Sequence, residues 1–337
     1  GLHEVGVQDP KTRLVWNMPM EHVGVENCFS KPLTDYIRRH KNTGISIGWS
    51  FGRLYQLLST SEKQSTINVD WSSFDATVPE FIIRDVFTML WDQFDFDTWQ
   101  GKQNSPMHKR RWSKVREYLE YYFINTPIRM PDGKAFRKKG GIPSGSGFTQ
   151  IIGSIVNRIV LRTLFRVIGV RLNKLVVLGD DGYLVPDRSV AQEELVHLAD
   201  VARSQFGMSL NWKKTKIFSP AERKMYLGYT FSLDGHLERP EEEWFRMALC
   251  PENSVVNLQQ SWSRLTSLLL IGGYFCKRFF LFTNYFSQGF PLIQREVKTI
   301  PSKTLQRLLQ YRGVALSEWK TKTFLNFWDF ELFAWQH

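Results

Sequence analysis

Cysteine is scarce in this sequence. The three present, Cys28, Cys250 and Cys276, lie far apart and are odd in number. They exclude a disulfide framework and a Cys-based zinc site, and they fit a reducing compartment. The seven histidines show no metal-ligand spacing. No secretory signal opens the chain. Uninterrupted apolar runs of membrane-spanning length are also missing. The greasiest stretch, residues 265–286, is broken by Lys277 and Arg278 and reads as buried helices. There are no internal repeats and no low-complexity linker. A dinucleotide fingerprint is absent, because GxGxxG spacing fails at Gln150, and no Walker lysine follows. Neither a start methionine nor an obvious helix cap stands at the beginning, so a fragment of a longer protein is expected.

What is abundant is aromatic and basic. With 25 Phe, 12 Trp and 11 Tyr among 337 residues, most aromatics must be core, and a few can stack on bases. Hydrophobic content of 42% against 23% charged residues reads as globular rather than disordered. The 44 Lys plus Arg outnumber 33 Asp plus Glu, giving a net charge of +11 and a pI near 9.5. That excess favours a polyanionic partner. A soluble protein that is merely basic has the same numbers.

Residues 66–70, TINVD, read as a strand by β-branching. A helix is expected from about Pro79 to Phe94, with Phe81, Ile82, Val86 and Leu90 on its apolar face. The basic residues 102–118 read as helical, and 123–141 as a hairpin turning at Pro131-Asp132-Gly133. A long helix follows over 148–168, then two strands joined by Gly179-Asp180-Asp181, then an amphipathic helix over 190–206. Two extended segments, MSLNWKKTKIF and KMYLGYTFS, come next, and the pattern is helical from about 236 onward. This order predicts an α+β fold with a helical C-terminal part.

Three stretches carry chemistry. In VVLGDDGYLV, residues 176–185, two adjacent carboxylates sit between core strands. An isolated acidic turn is more often a plain surface turn. In NVDWSSFDATVPE, Asp70 ends a strand and Asp75 follows; alone, Asp70 reads equally well as a helix N-cap. Carboxylates at the ends of different strands can share hard cations, since Mg²⁺ takes one or two carboxylates plus phosphate oxygens. In GGIPSGSGFTQIIGSIVN, residues 140–157, a Gly- and Ser-rich loop enters a helix whose N-terminus favours anions. Ser144 and Thr149 can offer hydroxyls to a sugar, although such a loop alone is more often an ordinary helix cap.

In this order and spacing, Asp70-x4-Asp75, Ser144-Gly145-x3-Thr149 and Gly179-Asp180-Asp181 resemble palm motifs A, B and C of viral RNA-dependent RNA polymerases. The wording DWSSFD and GIPSGSGFT is most similar to the partitivirus and picobirnavirus-like double-stranded RNA virus group. KTRLVW resembles motif F, with Lys11 and Arg13 facing the incoming triphosphate. FGMSLNWKKTKIF resembles motif D, with Lys214 as its lysine, and YLGYTF resembles motif E. The resemblance covers about residues 11–231. It implies a right-hand polymerase, with partial fingers over 1–66, palm over 67–101 and 141–235, a fingers insertion over 102–140 and a helical thumb over 236–337.

The resemblance further implies template-directed RNA synthesis. Asp70, Asp180 and Asp181 bind Mg²⁺, with Mn²⁺ able to substitute, and Lys214 serves as general acid. Lys11, Arg13, Asp75, Ser144, Gly145, Thr149 and Asn157 bind nucleotide and ribose. The family often has Asn or Asp four residues after the motif B threonine; here that position is Gly153, and either Asn157, one turn later on the same face, takes its place or ribose recognition rests on Asp75, Ser144 and Thr149. The implied partners are an RNA template and product strand, nucleoside triphosphates and a capsid protein, with no membrane, in host cytoplasm inside the virion. The basic run Lys109, Arg110, Arg111, Lys114 and Arg116 reads as a solvated face or a template-channel wall. A reverse transcriptase shares the two-metal palm, but Gly179 rather than an aromatic residue precedes the paired aspartates. A non-catalytic RNA-binding or capsid-associated module fits the charge and not the intact carboxylates. A metal-dependent nuclease does not predict the Ser-Gly loop.

Overall fold

The computed structural model describes residues 18–40, 42–49, 51–130, 132–232, 236–251 and 257–289. The N-terminal segment opens with helices α1 (Met20–Arg39) and α2 (Phe51–Thr60). Strands β1 (Thr66–Val69) and β2 (Trp71–Ser72) follow, then the short helix α3 (Phe74–Thr77) and helix α4 (Glu80–Trp91). A small hairpin of β3 (Thr98–Trp99) and β4 (Lys102–Gln103) leads into α5 (Pro106–Ile124). A second hairpin, β5 (Pro127–Arg129) and β6 (Ala135–Arg137), precedes the long helix α6 (Thr149–Val167). Strands β7 (Leu172–Leu178) and β8 (Asp181–Pro186), helix α7 (Gln192–Phe206) and strands β9 (Ser209–Leu210) and β10 (Lys216–Phe218) complete the central part. Beyond lie β11 (Met225–Tyr226), β12 (Tyr229–Phe231), β13 (Leu237–Glu238), and helices α8 (Glu241–Leu249), α9 (Leu258–Leu270) and α10 (Lys277–Gly289).

The chain divides into two compact units. The first is residues 1–47 with 67–217, and the second is residues 48–66 with 218–337. The strands resembling motif E, expected with the palm, therefore cluster with the C-terminal helices.

In the first unit a four-stranded sheet runs in the order β10-β1-β8-β7. β8 pairs antiparallel with both neighbours, Val69 opposite Gly182 on one side and Leu178 opposite Asp181 on the other. Gly179 and Asp180 are thus a two-residue hairpin turn, and Asp181 is already the first residue of β8. Gly179 has φ 59°, where a side chain is disfavoured and glycine is not. The core packs α4, α6 and α7 with the sheet. Along α4 the buried residues are Ile82, Ile83, Val86, Phe87, Leu90 and Trp91, a helical stripe. Phe81, expected on that stripe, is 51% exposed, because it lies one step off the buried face. The α5 start is set by Ser105, whose Oγ accepts the His108 N–H at 3.3 Å, and by Pro106 in the first turn. Arg84 joins Glu80 on its own helix at 2.6 Å and pairs with Glu120 on α5.

The second unit packs α2 with the antiparallel strands β11-β12-β13. Trp244 and Phe279 are fully buried and stack at 5.9 Å. Tyr229 donates its hydroxyl to the Ile271 carbonyl at 2.8 Å. Among the described residues no helix is long and apolar enough to cross a membrane, and the expected interruption at Lys277 is the start of α10. All three cysteines are free.

Helix α1 carries a buried acid that its sequence does not announce. Glu26 on α1 is fully buried. Its carboxylate accepts the Ser146 hydroxyl at 2.6 Å and the Gly147 N–H at 2.8 Å, and His22 Nε2 lies 3.1 Å from it. Helix α1 thereby holds the loop that enters α6. Removing the carboxylate strands one buried and one half-buried donor, at about 1–3 kcal/mol for each donor left without a partner. Glu26→Ala is expected to lower stability by about 2–4 kcal/mol, read from the urea midpoint. A variant as stable as the parent would show that the loop is held by other contacts.

Candidate active site

Residues distant in sequence meet at one end of the four-stranded sheet. Val69 pairs with Gly182, so one step further Asp70 stands beside Asp181. Opposed residues in such a ladder lie about 4.5–5.5 Å apart at Cα. Asp180 occupies the adjacent turn. Asp70 is half-buried, and Asp180 and Asp181 are exposed. Among the described residues no Lys, Arg or His forms an ion pair with Asp70 or Asp180. Oxygen-only donors left unneutralised suit a hard divalent cation. Among the described residues no group of three or more His, Cys, Asp or Glu could enclose a metal. The protein ligands available are thus fewer than a closed three-carboxylate cage requires.

The segment resembling motif D braces Asp70. The Asp70 N–H donates to Thr215 Oγ1 at 3.2 Å, and its carbonyl accepts from the Asn211 N–H at 2.9 Å. Trp71 pairs with Leu210 in the β2–β9 ladder. Lys214 sits in the tight turn between β9 and β10, exposed, its N–H donating to Asn211. This turn interrupts the extended segment expected there.

Asp75 is exposed on α3. Ser73 before it takes φ 53°, a conformation uncommon for a residue with Cβ. The Asp75 carbonyl accepts the Ile142 N–H at 2.6 Å, and the Val78 carbonyl accepts the Gly141 N–H at 2.8 Å. These two bonds fasten the Ser-Gly loop to the segment carrying Asp75. Only glycine fits at Gly141, since φ is 71° and a Cβ would lie 2.7 Å from the Asp75 carbonyl oxygen. Ser144 is half-buried and Gly145 is exposed with φ 113°. Thr149 opens α6 and donates its hydroxyl to the Pro143 carbonyl at 2.5 Å, which ties the loop to the helix it enters.

Asn157 is elsewhere than expected. It is fully buried, and its amide is engaged by protein on both sides. Oδ1 accepts the Trp71 indole N–H at 3.0 Å, while Nδ2 donates to the carbonyls of Gly179 at 2.9 Å and Asp181 at 3.3 Å. A ribose has no access to an amide so placed, because both its donors and its acceptor face the interior. Lys11 and Arg13 lie outside the described residues. The structure adds Ser154, Trp71, Thr215 and Lys138 to the residues around the site. Ser154 could have been found as a second polar residue, three before Asn157, on the otherwise apolar face of α6.

A family model described as viral RNA-dependent RNA polymerase matches residues 3–282. The chain belongs to this family. The RNA-directed RNA polymerase of Cryptosporidium parvum virus 1 (strain KSU-1) is 33% identical over 214 residues, 61% of this chain and 38% of that protein. That of Atkinsonella hypoxylon virus (isolate 2H) is 24% identical over 263 residues, 65% of this chain and 39% of that one. The crystal structure of the RNA-dependent RNA polymerase of a human picobirnavirus superposes with TM-score 0.71 at 18% identity, covering 96% of this chain and 62% of that one. The last likeness shows the fold, the mixed α+β right-hand polymerase class, with its helical and sheet regions separate. The chain spans 38% and 39% of the two viral relatives and 62% of the solved polymerase.

In this polymerase-family chain the loop before α6 is also held by Lys138. Its Nζ donates to the carbonyls of Gly140 at 2.9 Å and Gly141 at 2.7 Å. Burial lowers the Lys138 pKa to about 8. The unfolded chain therefore binds more protons than the folded one between about 8 and the ordinary lysine value of about 10.4, and this group's share of stability rises with pH across that window. Pulse acetylation read by mass spectrometry is expected to show the Lys138 amine half-titrating near pH 8. A midpoint matching the surface lysines would remove the burial effect.

Proposed function

We propose that this chain performs template-directed RNA synthesis, joining nucleoside triphosphates to a growing RNA strand by nucleotidyl transfer. The observation that carries the reading is the juxtaposition of Asp70 with the Asp180–Asp181 turn, beside a Ser-Gly loop fastened to the Asp75 segment. Family membership supports the same chemistry. Asp70 and the Gly-Asp-Asp turn are the residues that would hold Mg²⁺, or Mn²⁺ in its stead, a hard cation suited to carboxylate and phosphate oxygens. When bound, the ions supply a lowered pKa for the primer 3′-hydroxyl and charge stabilisation for the leaving pyrophosphate. Asp70 and Asp180 are the principal ligands and Asp181 a weaker one.

Lys11 and Arg13 neutralise the triphosphate, Arg13 by bidentate contact. Lys214, exposed on its turn, carries a proton for the departing pyrophosphate. Asp75, Ser144 and Thr149, with the close backbone of Gly145, receive the ribose. The net charge of +11 suits an RNA template and product strand. A capsid protein partner, and action inside the virion in host cytoplasm, extend the reading from the double-stranded RNA virus resemblance.

Ribonucleotide incorporation on a short RNA template-primer, with Mg²⁺ or Mn²⁺, tests the reading. Asp180→Ala is expected to cut incorporation on the order of 10³-fold, since several kcal/mol of charge stabilisation are lost. Its melting temperature should be unchanged, because the side chain is exposed. Activity persisting within about tenfold of the parent would sink the metal role. Asp75→Ala is expected to reduce preference for ribonucleotides over deoxyribonucleotides by about tenfold or more, because a site built to bond a hydroxyl penalises its absence. Unchanged discrimination removes Asp75 from ribose selection.

A further inference from the structure

The stiffness of the Gly179–Asp180–Asp181 turn does not come from its two strands alone. Helix α6 presents Ser154 and Asn157, three residues apart and so on one face, toward the turn backbone. Ser154 Oγ accepts the Gly179 N–H at 2.9 Å and donates to the Gln150 carbonyl at 2.7 Å. Asn157 Nδ2 donates to the carbonyls of Gly179 and Asp181, the residues on either side of Asp180. Its Oδ1 is fixed in turn by the Trp71 indole N–H. Trp71 directly follows Asp70. Both Ser154 and Asn157 are fully buried. Gly153, directly before Ser154, faces the same turn, where an added Cβ would lie 3.7 Å from Gly179 Cα.

We propose that Ser154, Asn157 and Trp71 form a clamp that positions Asp180 relative to Asp70 for nucleotidyl transfer. This rests on the polymerase reading above. The geometry is specific in two ways. First, the Asn157 amide must present NH₂ to the turn and its oxygen to Trp71, because two carbonyls and one N–H surround it. Second, the clamp grips only backbone, so Asp180 keeps its carboxylate for a cation. Because Trp71 and Asp70 are consecutive, the same amide ties the segment that carries Asp70 to the turn that carries Asp180. These are positioning residues, since they touch the turn and not the substrate.

The test uses Asn157→Leu, which keeps volume and removes all three bonds, with Trp71→Phe as a partner variant that removes the indole donor with part of the ring and leaves both bonds to the turn in place. Hydrogen exchange of the peptide covering residues 177–182 reports the turn without any need for catalysis. Incorporation kinetics and Mg²⁺ titration report its consequence. The clamp predicts faster exchange in that peptide for both variants. It also predicts kcat lower by about tenfold or more in Asn157→Leu, the nucleotide KM within about twofold, and a higher half-saturating Mg²⁺ concentration. Trp71→Phe is expected to show the same pattern at smaller size, so a poorly folding Asn157→Leu leaves the proposal testable. Exchange at parental rates in both variants overturns the clamp. Faster exchange with kcat and Mg²⁺ dependence both unchanged overturns its role in positioning Asp180. If the parent chain makes no RNA while both variants loosen the turn, the clamp on the turn stands and the polymerase reading of this chain fails.

Discussion

The antiparallel pairing of β1 with β8 is the constraint from which the site follows, because it brings Asp70 beside a turn far away in the sequence. Register in a sheet is all-or-none. A slip by one residue would turn every side chain of β1 to the opposite face. Here β1 and β8 are buried nearly throughout, with Ile67 opposite Leu184 and Val69 opposite Gly182, so a slipped register would lose its packing. Gly182 contributes by its small size. A Cβ there would stand 2.9 Å from Leu161 Cδ1 of α6, so the helix and the strand approach as closely as glycine permits.

A second layer of polar contacts converts this register into a defined site. The carboxylate segment at Asp70 is braced by Thr215 and Asn211, the Gly179–Asp181 turn by Ser154 and Asn157, and the Ser-Gly loop by Glu26, Lys138, Asp75 and Val78. In most of these contacts a side chain grips backbone. That division of labour leaves the side chains at the sheet end available to a ligand. It also explains why so many polar groups are buried here. Each satisfies a carbonyl or N–H that a turn or loop would otherwise leave unpaired in a dry interior.

Much of the outline was legible in the sequence because local signals agreed with the final structure. β-Branched TINV, the apolar periodicity over residues 149–167, and Gly179 before two aspartates each specify an element by itself. Phe81 misled because a helix stripe is wider than its strongest hydrophobes, and Ile83 and Phe87 took the buried places. The turn at Asn211–Thr215 was missed because a run of lysines and aromatics carries neither Gly nor Pro to announce it.

What the sequence by itself determined is the set of elements and the chemistry offered: strand-end carboxylates, a Gly-Ser loop before a helix, a basic surface and no cysteine scaffold. Those depend on residue type and near neighbours, which a linear pattern contains. What only the tertiary structure decided is the partner of each polar group. Asn157 passed for a ribose contact because an amide on a helix can face either substrate or protein, and nothing local distinguishes the two. The fold turned it inward, between the Trp71 indole and the carbonyls flanking Asp180. Glu26, an unremarkable acid on an amphipathic helix, became the anchor of a loop for the same reason: hydrogen-bond partners are chosen by proximity in space.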